Sequence, residues 1–139
     1  MTPHTSKGRN RNAPALYKHS LADLEKKAVC MSEECLPPVS VFLFGGLGAG
    51  KTAFAKFFIR NLLLNKEHEV ISPTFNIVQI YETTKGDVWH ADLYRLKNSC
   101  EIEELGLLEA MQENICLIEW PELILPFVKE DNSFIKVYL

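Results

Sequence analysis

The stretch from Val39 to Leu64, VSVFLFGGLGAGKTAFAKFFIRNLLL, restricts the fold more than any other part of the chain. It opens on six residues that are nearly all apolar, β-branched or aromatic, the pattern of a strand covered on both faces. It closes on an amphipathic run in which Phe54, Phe57, Phe58 and Leu62 turn toward a core. Between the two, Gly45, four further residues and Gly50-Lys51-Thr52 complete the pattern G-x-x-x-x-G-K-[ST]. Strand, glycine loop and helix in that order frame a phosphate cradle. The glycines let the backbone turn through conformations that other residues avoid. Backbone N–H groups from Gly46 through Leu47, Gly48, Ala49 and Gly50 to Ala53 then converge on an anion, and the start of the helix adds its positive end. Lys51 reaches the outer phosphates as a point charge, and the Thr52 hydroxyl is suited to ligate Mg²⁺. The sequence therefore predicts a site for a nucleoside di- or triphosphate.

At 139 residues the chain has the length of one domain, read as a flexible N-terminal tail over 1–12 and a single domain over 13–139. An apolar fraction of 47% is enough for one core, and a net charge of −3 argues against a broad electrostatic grip on nucleic acid while leaving room for a local basic patch. No apolar run approaches the roughly 20 residues that cross a bilayer. The opening MTPHTSKGRNRNAP is polar and basic with no apolar stretch behind it, unlike a secretory signal. Cys30, Cys35, Cys100 and Cys116 form no C-x-x-C pair and have no histidine at zinc-finger spacing. Reduced thiols in a cytoplasmic protein are expected, with Cys116 as a small core residue.

The other segments extend an α/β plan. HSLADLEKKAVC reads as a helix capped by Ser20, with Leu21, Leu24 and Ala28 on one face, and CLPP ends it. SPTFNIVQIYE, beginning at Pro73, and DVWHADLYRL read as two strands joined by TTKGD. SCEIEELGLLEAMQE is helical with a break at Gly106, NICLIEW and SFIKVYL are strands, and PELILPF is a loop with a short helix. The expected fold class is α/β, a P-loop NTPase-like, mainly parallel sheet flanked by helices, with one antiparallel hairpin.

Two acids stand where phosphate chemistry needs them. Glu119 ends the apolar run ICLIE, the position from which an acid holds Mg²⁺ directly or through water. Asp92 ends VWHAD among apolar neighbours, where burial without a partner is costly. Either it orders the attacking water or the metal shell, or it caps the turn that follows. Thr74 in SPTF either faces the γ-phosphate or simply starts a strand. His90 lies on the face of Asp92 and either supports the site or packs as a hydrogen-bonded core histidine. Trp120 lies against the nucleotide or a partner, or fills the edge of the core. A GTPase would carry N-K-x-D and D-x-x-G; LNKEHE lacks the aspartate and DLYR the glycine, which leaves ATP as the expected nucleotide.

Taken in series, GGLGAGKT, SPTFNIVQIYE, HADLYRL, EELGLLE and ICLIEW resemble the TsaE (YjeE) family, from about Ser20 to the end of the chain. The resemblance implies a P-loop fold that binds ATP with Mg²⁺. It also implies action with TsaB and TsaD, which install a threonylcarbamoyl group on the tRNA adenosine beside the anticodon, so that tRNA is met through the complex. Carried across, Lys51 and Thr52 are the phosphate and Mg²⁺ residues, Glu119 the metal-binding acid and Asp92 the aspartate needed for activity. Thr74 matches the switch-like threonine and Trp120 the aromatic residue near the nucleotide. The chain departs from the family at Gly46, usually an acid, and at Ala53, often threonine or serine. Two other readings share the motif. A small-molecule kinase would need an arginine-bearing lid, yet only Arg60 and Arg95 follow Arg11. A non-catalytic scaffold would need ATP only to dock.

Overall fold

The computed structural model describes residues 4–7, 20–73 and 76–139. Among them the strands are β1 (His4–Lys7), β2 (Val39–Phe44), β3 (Val78–Thr83), β4 (Gly86–Asp92), β5 (Ile115–Glu119) and β6 (Phe134–Tyr138). The helices are α1 (Leu21–Glu34), α2 (Lys51–Leu62), α3 (Cys100–Glu104) and α4 (Leu107–Ala110), and Pro121–Leu123 and Leu125–Phe127 are single 3-10 turns. One sheet runs in the order β1-β6-β2-β5-β4-β3. β2 lies parallel to both β5 and β6, and β4 parallel to β5. β3 and β4 form the antiparallel hairpin, and β1 pairs antiparallel with β6. The α/β plan read from the sequence is thus the observed one. Within the segment read as a tail, however, His4–Lys7 is a strand, in register with Ile135 to Tyr138.

Alternation along β2 and β5 divides the core. Val41, Leu43, Ile115 and Leu117 face α1 and α2, where Leu24, Ala28, Phe54, Phe58 and Leu62 are buried with them. Phe42, Cys116 and Ile118 face the other way, onto Ile102, Leu107, Met111 and Ile124. All five residues of β5 are buried, as parallel strands covered on both faces require. Burial pushes the Cys116 thiol up to about 12, so it packs as an apolar group. Phe57 is only partly buried and Leu21 is 67% exposed, so the inward stripes are narrower than the sequence pattern implied.

Ser20 caps α1 by accepting the Asp23 N–H at 3.1 Å. Gly106, at φ 71°, separates α3 from α4 as the sequence foresaw. β3 begins at Val78 and not at Pro73, because Ile77 takes a left-handed φ of 63° and interrupts the extended backbone.

The end of α1 depends on a residue far away in the chain. Its last turn carries no basic side chain, and the last carbonyls of a helix lack partners inside it. Lys85, from the β3–β4 turn, donates to the carbonyls of Ser32 at 2.7 Å, Glu33 at 2.8 Å and Cys35. An ammonium there also complements the negative end of the helix dipole. Lys85→Met is expected to lower unfolding stability by about 1.5–3 kcal/mol, the range of a hydrogen bond to a charged group. Denaturant unfolding checks this; an unchanged midpoint would show that Lys85 does not secure the helix.

Candidate phosphate-binding site

β2, β5 and β4 all end at the same edge of the sheet, where α/β sheets bind ligands. The register places Leu43 opposite Glu119 and Glu119 opposite Asp92. The loop leaving β2 therefore meets both acids on the α2 face. Gly45 must be glycine: its φ is 151°, and a Cβ there would lie 2.9 Å from Ala49 Cβ and 3.0 Å from the Leu139 carbonyl oxygen. Gly50 turns the chain into α2 at φ 104°. Gly46 is different. Nothing lies within 4 Å of where its Cβ would be, so a side chain would fit there.

A cavity of about 450 Å³ opens here, lined by the loop from Leu47 to Ala53 and by Asp92, Tyr94, Arg95, Glu119 and Trp120. Of the residues singled out in the sequence, Lys51, Thr52, Asp92, Glu119 and Trp120 thus come together. Gly45 and Gly46 supply the carbonyls that hold Lys51: its Nζ donates to them at 2.6 and 2.7 Å. That ammonium also sits 4.1 Å from the centre of the Trp120 ring, a cation–π contact. The Ala49 N–H donates to the Gly46 carbonyl at 3.1 Å, so one loop amide is engaged within the loop. Thr74 lies outside the described residues.

Glu119 is 2% exposed and accepts at both oxygens. Thr52 Oγ1 donates to Oε1 at 2.7 Å, and His90 Nε2 meets Oε2 at 2.7 Å. With its hydrogen engaged, the Thr52 hydroxyl keeps its lone pairs for a cation. Hard oxygen donors of this kind suit Mg²⁺. Among the described residues no three His, Cys, Asp or Glu side chains cluster as a metal site. A cation held by Thr52 and Glu119 would therefore complete its shell from phosphate and water, as Mg²⁺ in nucleotide sites does.

Asp92 caps the turn that follows β4 and also faces the cavity. Its Oδ1 accepts the Tyr94 N–H at 3.0 Å, closing the turn after β4, while its carboxylate also lines the cavity. Trp120 is half-buried and packs against Tyr94, with ring centres 4.8 Å apart. Tyr94 and Arg95 were not selected from the sequence as site residues. The signal available was DLYR, in which two large polar side chains stand two and three residues after the strand-end acid.

Burial pushes the pKa of Lys51 below the usual lysine value, and Glu119, Asp92 and Glu122 pull it part of the way back. Burial raises the Asp92 carboxyl above the usual aspartate range; the Tyr94 N–H opposes the rise and Glu119 adds to it.

A glycine loop between a buried parallel strand and a helix, with strand-end acids facing its lysine and threonine, defines a protein of the P-loop α/β class. The crystal structure of Bacillus subtilis YdiB superposes with a TM-score of 0.63 at 25% identity, over 99% of this chain and 79% of that one. The family model described as threonylcarbamoyl adenosine biosynthesis protein TsaE matches residues 16–138. The tRNA threonylcarbamoyladenosine biosynthesis protein TsaE of Rickettsia prowazekii is 42% identical over 106 residues, 76% of this chain and 73% of its own. That of Aquifex aeolicus is 35% identical over 135 residues, 88% of this chain and 97% of its own. The chain belongs to the TsaE family, whose members take part in tRNA threonylcarbamoyladenosine biosynthesis.

The raised Asp92 carboxyl has a consequence for stability. Between the ordinary aspartate pKa and the raised one, the folded chain holds a proton that the unfolded chain has released. Stability therefore falls as pH rises through that window. Asp92→Asn keeps an acceptor for Tyr94 and removes the buried charge. Without nucleotide, the variant is expected to melt above the wild type at neutral pH, with the gap closing as pH falls toward the aspartate value. A variant that melts lower at neutral pH would contradict this.

Proposed function

We propose that the chain is a Mg²⁺-dependent ATPase of tRNA threonylcarbamoyladenosine synthesis that works with TsaB and TsaD, in the cytoplasm, and meets tRNA through that complex. The observation that carries the reading is the convergence of Lys51, Thr52, Asp92 and Glu119 on one cavity beneath the glycine loop. Phosphoryl transfer to water needs positioning and charge stabilisation more than covalent chemistry. Lys51 exchanges its loop carbonyls for the outer phosphate oxygens. The loop amides and the start of α2 bind the phosphates between them. Thr52 and Glu119 hold Mg²⁺, which supplies charge neutralisation on the phosphate oxygens. Asp92, beside Glu119 on the neighbouring strand, positions the attacking water or the metal shell, and Trp120 borders the nucleotide. Thr74 is assigned the γ-phosphate contact on family resemblance.

Hydrolysis by the isolated chain is expected to be slow and to rise on addition of TsaB and TsaD. Asp92→Ala is expected to lower phosphate release by about 100-fold, the scale of a positioned acid–base group, with nucleotide binding retained. Phosphate release with and without the two partners measures both. An Asp92→Ala protein that supports tRNA modification at the normal rate would mark a scaffold that needs ATP only to dock, and phosphate appearing on a small acceptor would mark a kinase.

A further inference from the structure

His90 is fully buried and does not line the cavity, yet its Nε2 lies 2.7 Å from Glu119 Oε2. Its Nδ1 is buried and has no hydrogen-bond partner among the described residues. A buried polar atom left without a partner is unfavourable, so packing alone does not account for a histidine here. A leucine would fill such a space without that penalty. What the ring does offer is a donor aimed at Glu119.

The sheet explains the aim. On β4, His90 lies opposite Leu117 of β5, with Asp92 opposite Glu119, so His90 and Glu119 share the α2 face. The imidazole reaches Glu119 at the oxygen that Thr52 does not hold. A glutamate carboxylate turns freely about its last carbon–carbon bond, since that torsion is broad. Two donors on different oxygens remove this freedom. Thr52 Oγ1 holds Oε1 and His90 holds Oε2. With the carboxylate plane fixed, the Thr52 hydrogen stays on Oε1 and its lone pairs stay free for a cation.

We infer that His90 is a positioning residue for the cation site: its Nε2–H holds Glu119 Oε2, and so sets the orientation of the Thr52–Glu119 pair toward Mg²⁺. The inference rests on the proposed nucleotide site and assigns a residue that acts through Glu119 without touching the ligand. Carboxylates that orient metal-binding groups, and the groups that orient them in turn, commonly change metal affinity by about 10–100-fold when removed.

Three proteins separate this role from simple packing: wild type, His90→Gln, which keeps a donor near the Nε2 position, and His90→Leu, which has none. ADP binding followed by calorimetry across a Mg²⁺ series gives the concentration of half-maximal enhancement. His90→Leu is expected to raise it about ten-fold and His90→Gln to leave it within about two-fold, while all three bind ADP alike in EDTA. If His90→Leu does not fold, His90→Asn, whose amide stops short of Glu119, carries the same expectation. Equal Mg²⁺ dependence in wild type and the donor-free variant, or equal impairment in His90→Gln, overturns the assignment. The imidazole nitrogen shifts of the wild-type protein give a second readout, independent of nucleotide. They are expected to show the proton on Nε2, and a proton on Nδ1 alone would also overturn it. Failure of the nucleotide site itself is distinguishable, since wild type would then bind no ADP with or without Mg²⁺.

Discussion

Parallel pairing of β2 with β5 is the constraint on which the site depends. Because Leu43 lies opposite Glu119, the chain leaving β2 must begin its glycine loop beside the acid that ends β5. The pairing of β4 with β5 then brings Asp92 to the same level. None of these groups is near another in sequence; Thr52 and Glu119 are 67 residues apart and meet at 2.7 Å. The register is secured by burial. All of β5 and nearly all of β2 are covered on both faces, and a slip of one residue would exchange the two core faces and turn the acids away from α2.

The electrostatics of the cavity favour a polyanion only together with a cation. One ammonium, that of Lys51, faces Glu119, Asp92 and Glu122, with Arg95 on the wall. Phosphates entering alone would meet two carboxylates at close range. On the proposed reading Thr52 and Glu119 would hold a divalent ion that offsets this negative charge, while loop amides and Lys51 would take the remaining phosphate charge. The Lys51 contacts fit this exchange: two carbonyls and an aromatic face hold the ammonium in place, and all are neutral partners that a phosphate oxygen outcompetes electrostatically.

Much of this was legible in the sequence because it is local. The spacing from Gly45 to Thr52 encodes the loop in eight consecutive residues, VSVFLF and ICLIE announce buried parallel strands, and the acids that end strands mark the edge where ligands bind. What was not legible depends on distant partners. The partner of His90, Glu119, is 29 residues away in the chain and is reached only through the pairing of β4 with β5. Lys85, in an ordinary turn, ends on α1 some 50 residues earlier in the chain. Tyr94 and Arg95 line the cavity because the Asp92 turn directs them there, a matter of backbone path and not of composition. β1 escaped because a short polar segment has no apolar periodicity; its pairing to β6 is made by backbone groups, which sequence patterns do not display.

The central claim is that the loop after β2, with Lys51, binds a magnesium nucleotide. Calorimetric titration of ATP with Mg²⁺ into folded wild-type protein and into Lys51→Ala tests it most directly. The account predicts saturable heat at one site in the wild type and markedly weaker binding in the variant. No heat in the folded wild type, or equal affinity in the two proteins, would contradict it.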